Sequence, residues 1–154
     1  LVALTCDPSE LGTSLVAPPP TPLATPSRAV ADSWRWRQRM AERIGRRIDP
    51  DASGVVALYL FGSVKNGTAG PGSDIDLIVH FRGSDEQRRN LERWFEGWSE
   101  CLAELNYLRT GYHVDSLLDV HFISDEDIEA HDSFASKIDA ITDAASPLPI
   151  GAVD

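Results

Sequence analysis

Leu60-Phe61-Gly62-Ser63-Val64-Lys65-Asn66-Gly67-Thr68-Ala69-Gly70-Pro71-Gly72-Ser73-Asp74-Ile75-Asp76-Leu77-Ile78-Val79 is the stretch on which the fold turns. The run Val55 to Phe61 leads into it, apolar throughout, rich in β-formers and bounded by Gly54 and Gly62, which marks a buried strand. A glycine-rich loop follows from Ser63 to Ser73, and Asp74 to Phe81 resumes a strand of the same buried kind. Because side chains alternate across a strand, Asp74, Asp76, Ile78 and His80 are predicted to share one face.

These residue types define two chemical ends. The small Gly62-Ser63 turn lets a phosphate approach backbone N–H groups, and the Ser63 hydroxyl can donate to a phosphate oxygen. Asp74 and Asp76, two residues apart on a strand, project carboxylates close enough to bind one or two hard cations. Without a cation, neighbouring buried carboxylates repel one another. Each piece alone is weak, since Gly-Ser occurs in any loop and Asp-x-Asp also occurs as surface decoration or in calcium loops. Ile78, however, stands where an EF-hand would need another oxygen ligand. The combination at this spacing carries the reading.

Working outward, Ser27 is placed to cap a helix running to about Ile48, with Val30, Trp34, Met40, Ile44 and Ile48 as its apolar stripe. Trp34 and Trp36 cannot both lie on that stripe, so one is expected to be exposed. The cluster Asp49-Pro50-Asp51-Ala52-Ser53-Gly54 ends the helix. Ser84, with Gln87 three residues on, starts a long helix whose Leu91, Trp94, Phe95, Trp98, Leu102 and Leu105 repeat at helical spacing until Gly111. Its tryptophans read as core packing. Leu117 to Ile123 is a third strand, with Asp119, His121 and Ile123 on one face and Val120 and Phe122 on the other. Ser124 then caps an acidic segment holding Ile128, Phe134, Ile138 and Ile141, expected to be helical in one or two pieces and closed by Pro147 and Pro149. The order of elements is that of an α+β chain, a small sheet layered with helices.

Gly-Ser, ten residues, then Asp-Ile-Asp between apolar strands resembles the signature of the polymerase-β nucleotidyltransferase superfamily, and most of all its minimal bacterial nucleotidyltransferases. The motif covers Leu60 to Val79, and the order of elements extends the resemblance over residues 28 to 142. The resemblance implies a small mixed β-sheet packed with helices in a nucleotidyltransferase (polymerase-β palm-like) fold. It further implies that Asp74 and Asp76 hold Mg²⁺ (or Mn²⁺), that a third carboxylate helps activate the attacking hydroxyl, and that Gly62, Ser63, Lys65 and Ser73 bind a nucleoside triphosphate. By resemblance Asp119 takes the third role. Asp115 is a second apolar-flanked carboxylate that strand parity does not separate from it. The implied reaction moves a nucleoside monophosphate, AMP for choice, from the triphosphate to an acceptor hydroxyl with release of pyrophosphate. Minimal members often carry an arginine where Asn66 stands and another near Gly70, so cationic help for a triphosphate is thin in this loop. Lys65 can supply it as a point charge, or be an ordinary solvated lysine. His80 and His121 share faces with the aspartates, where an imidazole can contact nucleotide or acceptor or sit in water.

Length and composition bound these readings. At 154 residues with 42% apolar and 25% charged residues, the chain accommodates one domain with a core. Most of the prolines lie in residues 1 to 26, which read as a leader or linker, leaving the nucleotidyltransferase domain at 27–146 and a tail at 147–154. A net charge of -10 argues against general nucleic-acid binding. Seven of the 14 basic residues nevertheless lie between 28 and 47, whereas residues 115 to 154 carry ten carboxylates against Lys137 alone. A solvated helix face or an anionic partner both fit that basic stretch. Cys6 and Cys101 give no disulfide framework, no apolar run is long enough to span a membrane, and a cytoplasmic setting is expected. A body this small does not bury a large acceptor, so a protein partner or an additional domain is expected to supply it. The alternative is a non-catalytic nucleotide-binding or regulatory module of a longer protein or of a toxin–antitoxin-like pair.

Overall fold

The computed structural model describes residues 26–140 and 142–151, with side chains from residue 32 onward. Nearly all of the expected leader, together with Cys6, Ile141 and the side chain of Val30, lies outside the described residues.

The expected architecture is present: helices packed on a small mixed sheet of four strands. Helix α1 (Pro26–Arg46) is followed by a one-turn helix α2 (Pro50–Ser53), which Asp49 caps by accepting from the Asp51 and Ala52 N–H groups and which Gly54 ends at φ 78°. Strand β1 (Val55–Phe61) pairs antiparallel with β2 (Ile75–Phe81), and β2 pairs parallel with β3 (Leu118–Ile123). One helical turn, α3 (Gly62–Lys65), opens the loop between β1 and β2. The long helix α4 (Asp85–Thr110) makes the crossover to β3, as a parallel pair requires. Its start is the expected capping box of Ser84 and Gln87, and Gly111, left-handed at φ 73°, stops it.

One side of the sheet supplies Leu58, Leu60, Ile75, Leu77 and Val79 to a core shared with Ala41 and Ile44 of α1 and Leu91, Phe95 and Leu102 of α4. On the other side Ile78 and Ile123 meet Ala135, Ala145, Phe61 and Phe134 in a smaller cluster. Trp94 and Trp98 pack on the main core, as their spacing predicts.

Three expectations about the helix faces are corrected. The buried line of α1 runs through Ser33, Arg37, Ala41 and Ile44, with Ile48 beyond it, so the centre of the face is a fully buried arginine. Trp34 and Trp36 flank that line, and both are partly buried against the core. On α4 the face continues through Ser99 and Asn106, while Leu105 is 37% exposed. The acidic C-terminal segment is helical in two short pieces, α5 (Asp125–Glu129), capped by Ser124, and a 3₁₀ turn at Ala135–Lys137. Left-handed backbone at His131 interrupts it. Strand β4 (Ser146–Leu148) then pairs antiparallel with β1, giving the sheet order β3-β2-β1-β4. Three residues around Pro147 carry no alternation to read, and an edge position tolerates the missing N–H. Among the described residues no helix is long and apolar enough to cross a membrane.

Candidate active site

The sheet register brings the acidic residues together. Asp76 on β2 faces Asp119 on β3 in the parallel ladder and Phe61, the last residue of β1, in the antiparallel one. Asp74 lies just before β2, and the Ile75 N–H donates to the Leu117 carbonyl at 2.7 Å, tying this entry to the start of β3. The result is a cluster in which one carboxylate oxygen each from Asp74, Asp76 and Asp119 lies within 4.8 Å of the others. Asp115 precedes β3 in an exposed segment and is not in the cluster.

Asp76 is the electrostatic centre. It is half-buried, and burial together with the charges of Asp74 and Asp119 pushes its carboxyl up to about 6, with His121 and Lys137 acting in the opposite sense. Three acids held this close favour either a proton or a cation among them. The donor set, all carboxylate oxygen, fits a hard divalent ion and not a thiophilic one. Gly62 is required at its place twice over: its φ is 71°, and a Cβ there would collide with the Asp76 carboxylate.

On β3, His121 Nε2 lies 3.1 Å from Asp119 Oδ2, and its ring stacks on Phe134 at 4.0 Å, so the imidazole fixes one edge of Asp119. His80 lies on the face that parity gives it, but its partner there is Asp125. It is buried, with Nε2 2.7 Å from Asp125 Oδ1, and Arg82 holds the same carboxylate at 2.8 Å. These bonds push Asp125 well below the usual carboxylate range and tie β2 to α5.

The loop from β1 to β2 closes on itself. The Ser63 carbonyl accepts from the Thr68 and Ala69 N–H groups at 2.9 and 3.1 Å. Phe61, at the N-cap of α3, offers no side-chain acceptor to the first N–H groups of that turn. Lys65 donates to Asp143 Oδ1 and to the Ala144 carbonyl, each at 2.8 Å, and Asn66 donates to the same Asp143 oxygen, so this cation is engaged by the C-terminal segment. Ser73 Oγ accepts from the Gly70 N–H at 3.0 Å, which folds the last turn before Asp74.

Three residues were missed as parts of the site. Arg37 donates through Nε to the Ser73 carbonyl at 2.9 Å, and through Nη2 to the Pro71 carbonyl at 3.1 Å and Asn106 Oδ1 at 2.9 Å. Asn106 Nδ2 donates to the same Pro71 carbonyl at 2.9 Å. Lys137 adds positive charge near Asp76, with Nζ 5.8 Å from the Phe61 ring centre. Two of the three had a legible signal: Arg37 sits four residues from both Ser33 and Ala41, and Asn106 four residues from Leu102, each in step with a buried helix face. Lys137 had none beyond being the lone cation of an acidic stretch.

Among known families, the one described as "Nucleotidyltransferase domain" matches residues 40–129. No curated protein and no solved structure gives a significant match.

Proposed function

The chain belongs to the nucleotidyltransferase domain family, and the matched region contains Gly62, Ser63, Asp74, Asp76 and Asp119; from that premise we propose that it transfers AMP from ATP to an acceptor hydroxyl, releasing pyrophosphate. One observation carries the proposal: three carboxylates from β2, its approach and β3 converge within 4.8 Å. The set suits Mg²⁺ or Mn²⁺ held by Asp74, Asp76 and Asp119, an ion that, when bound, neutralises triphosphate charge and polarises the α-phosphoryl group.

In this reading the chain's own groups position the reactants. The uncapped N–H groups of the Gly62–Lys65 turn and the Ser63 hydroxyl bind the terminal phosphates, as small residues at such a turn permit. Ser73 keeps the loop folded beneath them. Lys137 supplies a cation near Asp76, and Lys65 joins only on leaving Asp143. Asp119, steadied by His121, accepts the proton of the acceptor hydroxyl as its oxygen bonds to the α-phosphorus. The bond from that phosphorus to the β-phosphate's bridging oxygen breaks, and the electron pair leaves with pyrophosphate. Positioning and charge supply the rate, and no covalent enzyme intermediate is needed. A protein partner or further domain, in a cytoplasmic setting, supplies the acceptor.

A second reading is favoured by the engagement of Lys65 with Asp143: a nucleotide-binding regulatory module without turnover. Incubation with α-labelled and γ-labelled ATP in Mg²⁺ or Mn²⁺, with candidate acceptors, separates the two. Label moving from the α position alone, and lost in Asp74→Ala, supports transfer; bound nucleotide with no transfer supports the module; γ label moving alone overturns both.

A further inference from the structure

Arg37 is the largest fully buried side chain of the chain's described residues, 0% exposed, yet no carboxylate oxygen lies among the acceptors of its hydrogen bonds described above. Its partners are carbonyls and one carboxamide: Ser33 through Nη1 at 3.2 Å, Ser73 through Nε, and Pro71 and Asn106 through Nη2. Burying an unpaired guanidinium costs several kcal/mol unless its donors are satisfied, so a position of this kind calls for a reason beyond packing. The reason lies in what the acceptors belong to. Pro71 and Ser73 are the last turn of the loop before Asp74, and Asn106 holds the same turn through the Pro71 carbonyl while also donating to the Tyr112 carbonyl at 3.1 Å. The Tyr112 ring closes over Gly72, where a Cβ would meet it at 3.5 Å. Helix α1 and the end of α4 thus both hold one loop turn.

We propose that Arg37 and Asn106 form a positioning clamp that, by holding the turn at Pro71 and Ser73, fixes Asp74 beside Asp76 and Asp119. The clamp rests on the cation-binding reading given above. Asp74 needs such help because it lies outside the β2 ladder, unlike Asp76 and Asp119, whose places the register sets. A planar fork meets several fixed carbonyls at once, which an ammonium on a flexible stem does not. Arg37 lies before the matched family region, which begins at residue 40. The attraction of Asp74 opposes the effect of burial on the guanidinium, which sits at about 10 and is charged at neutral pH.

The test compares wild type with Arg37→Lys, Asn106→Ala and the control Ile44→Val, a buried α1 position elsewhere on the same face. Two readouts are taken at pH 7.5: Mn²⁺ affinity by titration calorimetry and amide exchange across residues 66–76. Arg37→Lys is expected to weaken Mn²⁺ binding about tenfold or more, the usual effect of losing an outer partner of a ligand. It should also speed exchange in the loop, while Ile44→Val changes neither. Should Arg37→Lys fail to fold, Asn106→Ala carries the same comparison with the charge retained. Unchanged loop exchange and unchanged Mn²⁺ affinity in a folded clamp variant overturn the inference. Wild type that takes up no Mn²⁺ overturns the cation-binding reading instead, and the clamp's role toward Asp74 falls with it.

Discussion

At the scale of single residues, Asp76 concentrates the conflict between stability and function. Its carboxyl, at about 6 against 3.8 for a free side chain, holds a proton in the folded chain that the unfolded chain has already lost. Stability without metal therefore falls as pH rises from about 4 to about 6, by about 1 kcal/mol once partial exposure is allowed for. Asp76→Asn removes that fall and the repulsion behind it. Metal-free thermal melts are expected to find the variant at least as stable as wild type at pH 7.5, and label transfer from ATP reduced at least about 100-fold. A variant that is destabilised and still active would contradict both expectations. Gly62 belongs to the same conflict, because the Asp76 carboxylate occupies the space a side chain would need.

Elements decide which histidine lies beside the carboxylates. Asp76, Ile78 and His80 lie on one face of β2, but that face is covered unevenly: its end near Phe61 opens on the carboxylates, and its far end lies under α5. His80 is consequently joined with Arg82 to Asp125, while His121, two residues after Asp119 on β3, stays beside the cluster. The depressed Asp125 carboxyl gives an acid-side prediction. A group whose folded value lies below its unfolded one contributes stability above about pH 4 that is lost as pH falls further. Urea midpoints followed from pH 6 to 2 should drop for wild type over this range, and Asp125→Ala should lose that component of the drop while keeping Mn²⁺ binding. Loss of Mn²⁺ binding in this variant would place α5 in the site itself.

The molecule as a whole sets how a cation and pH act together. With a net charge of -10 and three acids in one cluster, the folded chain is expected to gain from a divalent ion in a way the unfolded chain does not. An ion that binds only the folded state at one hundred times its dissociation constant adds about 2.7 kcal/mol. Because the ion competes with the Asp76 proton, that stabilisation should be small at pH 5 and grow as pH passes about 6. Thermal melts with and without Mn²⁺ from pH 5 to 8 measure it, and a Mn²⁺ effect independent of pH would rule out competition at Asp76.

The sequence by itself determined the strands β1, β2 and β3 and the turn between the first two, because apolar runs, glycines and strand parity are local signals. It also determined the start and stop of α4, since Ser84, Gln87 and Gly111 act within a single turn. Convergence of Asp119 with Asp74 and Asp76, and the absence of Asp115 from that group, depended on the β2–β3 register, a pairing across 43 residues of chain. Strand β4, the engagement of Lys65 and the burial of Arg37 were likewise decided only by the tertiary structure. In each of these the partner is distant in sequence, and a residue type says what bonds it can make but not which groups the fold brings within reach.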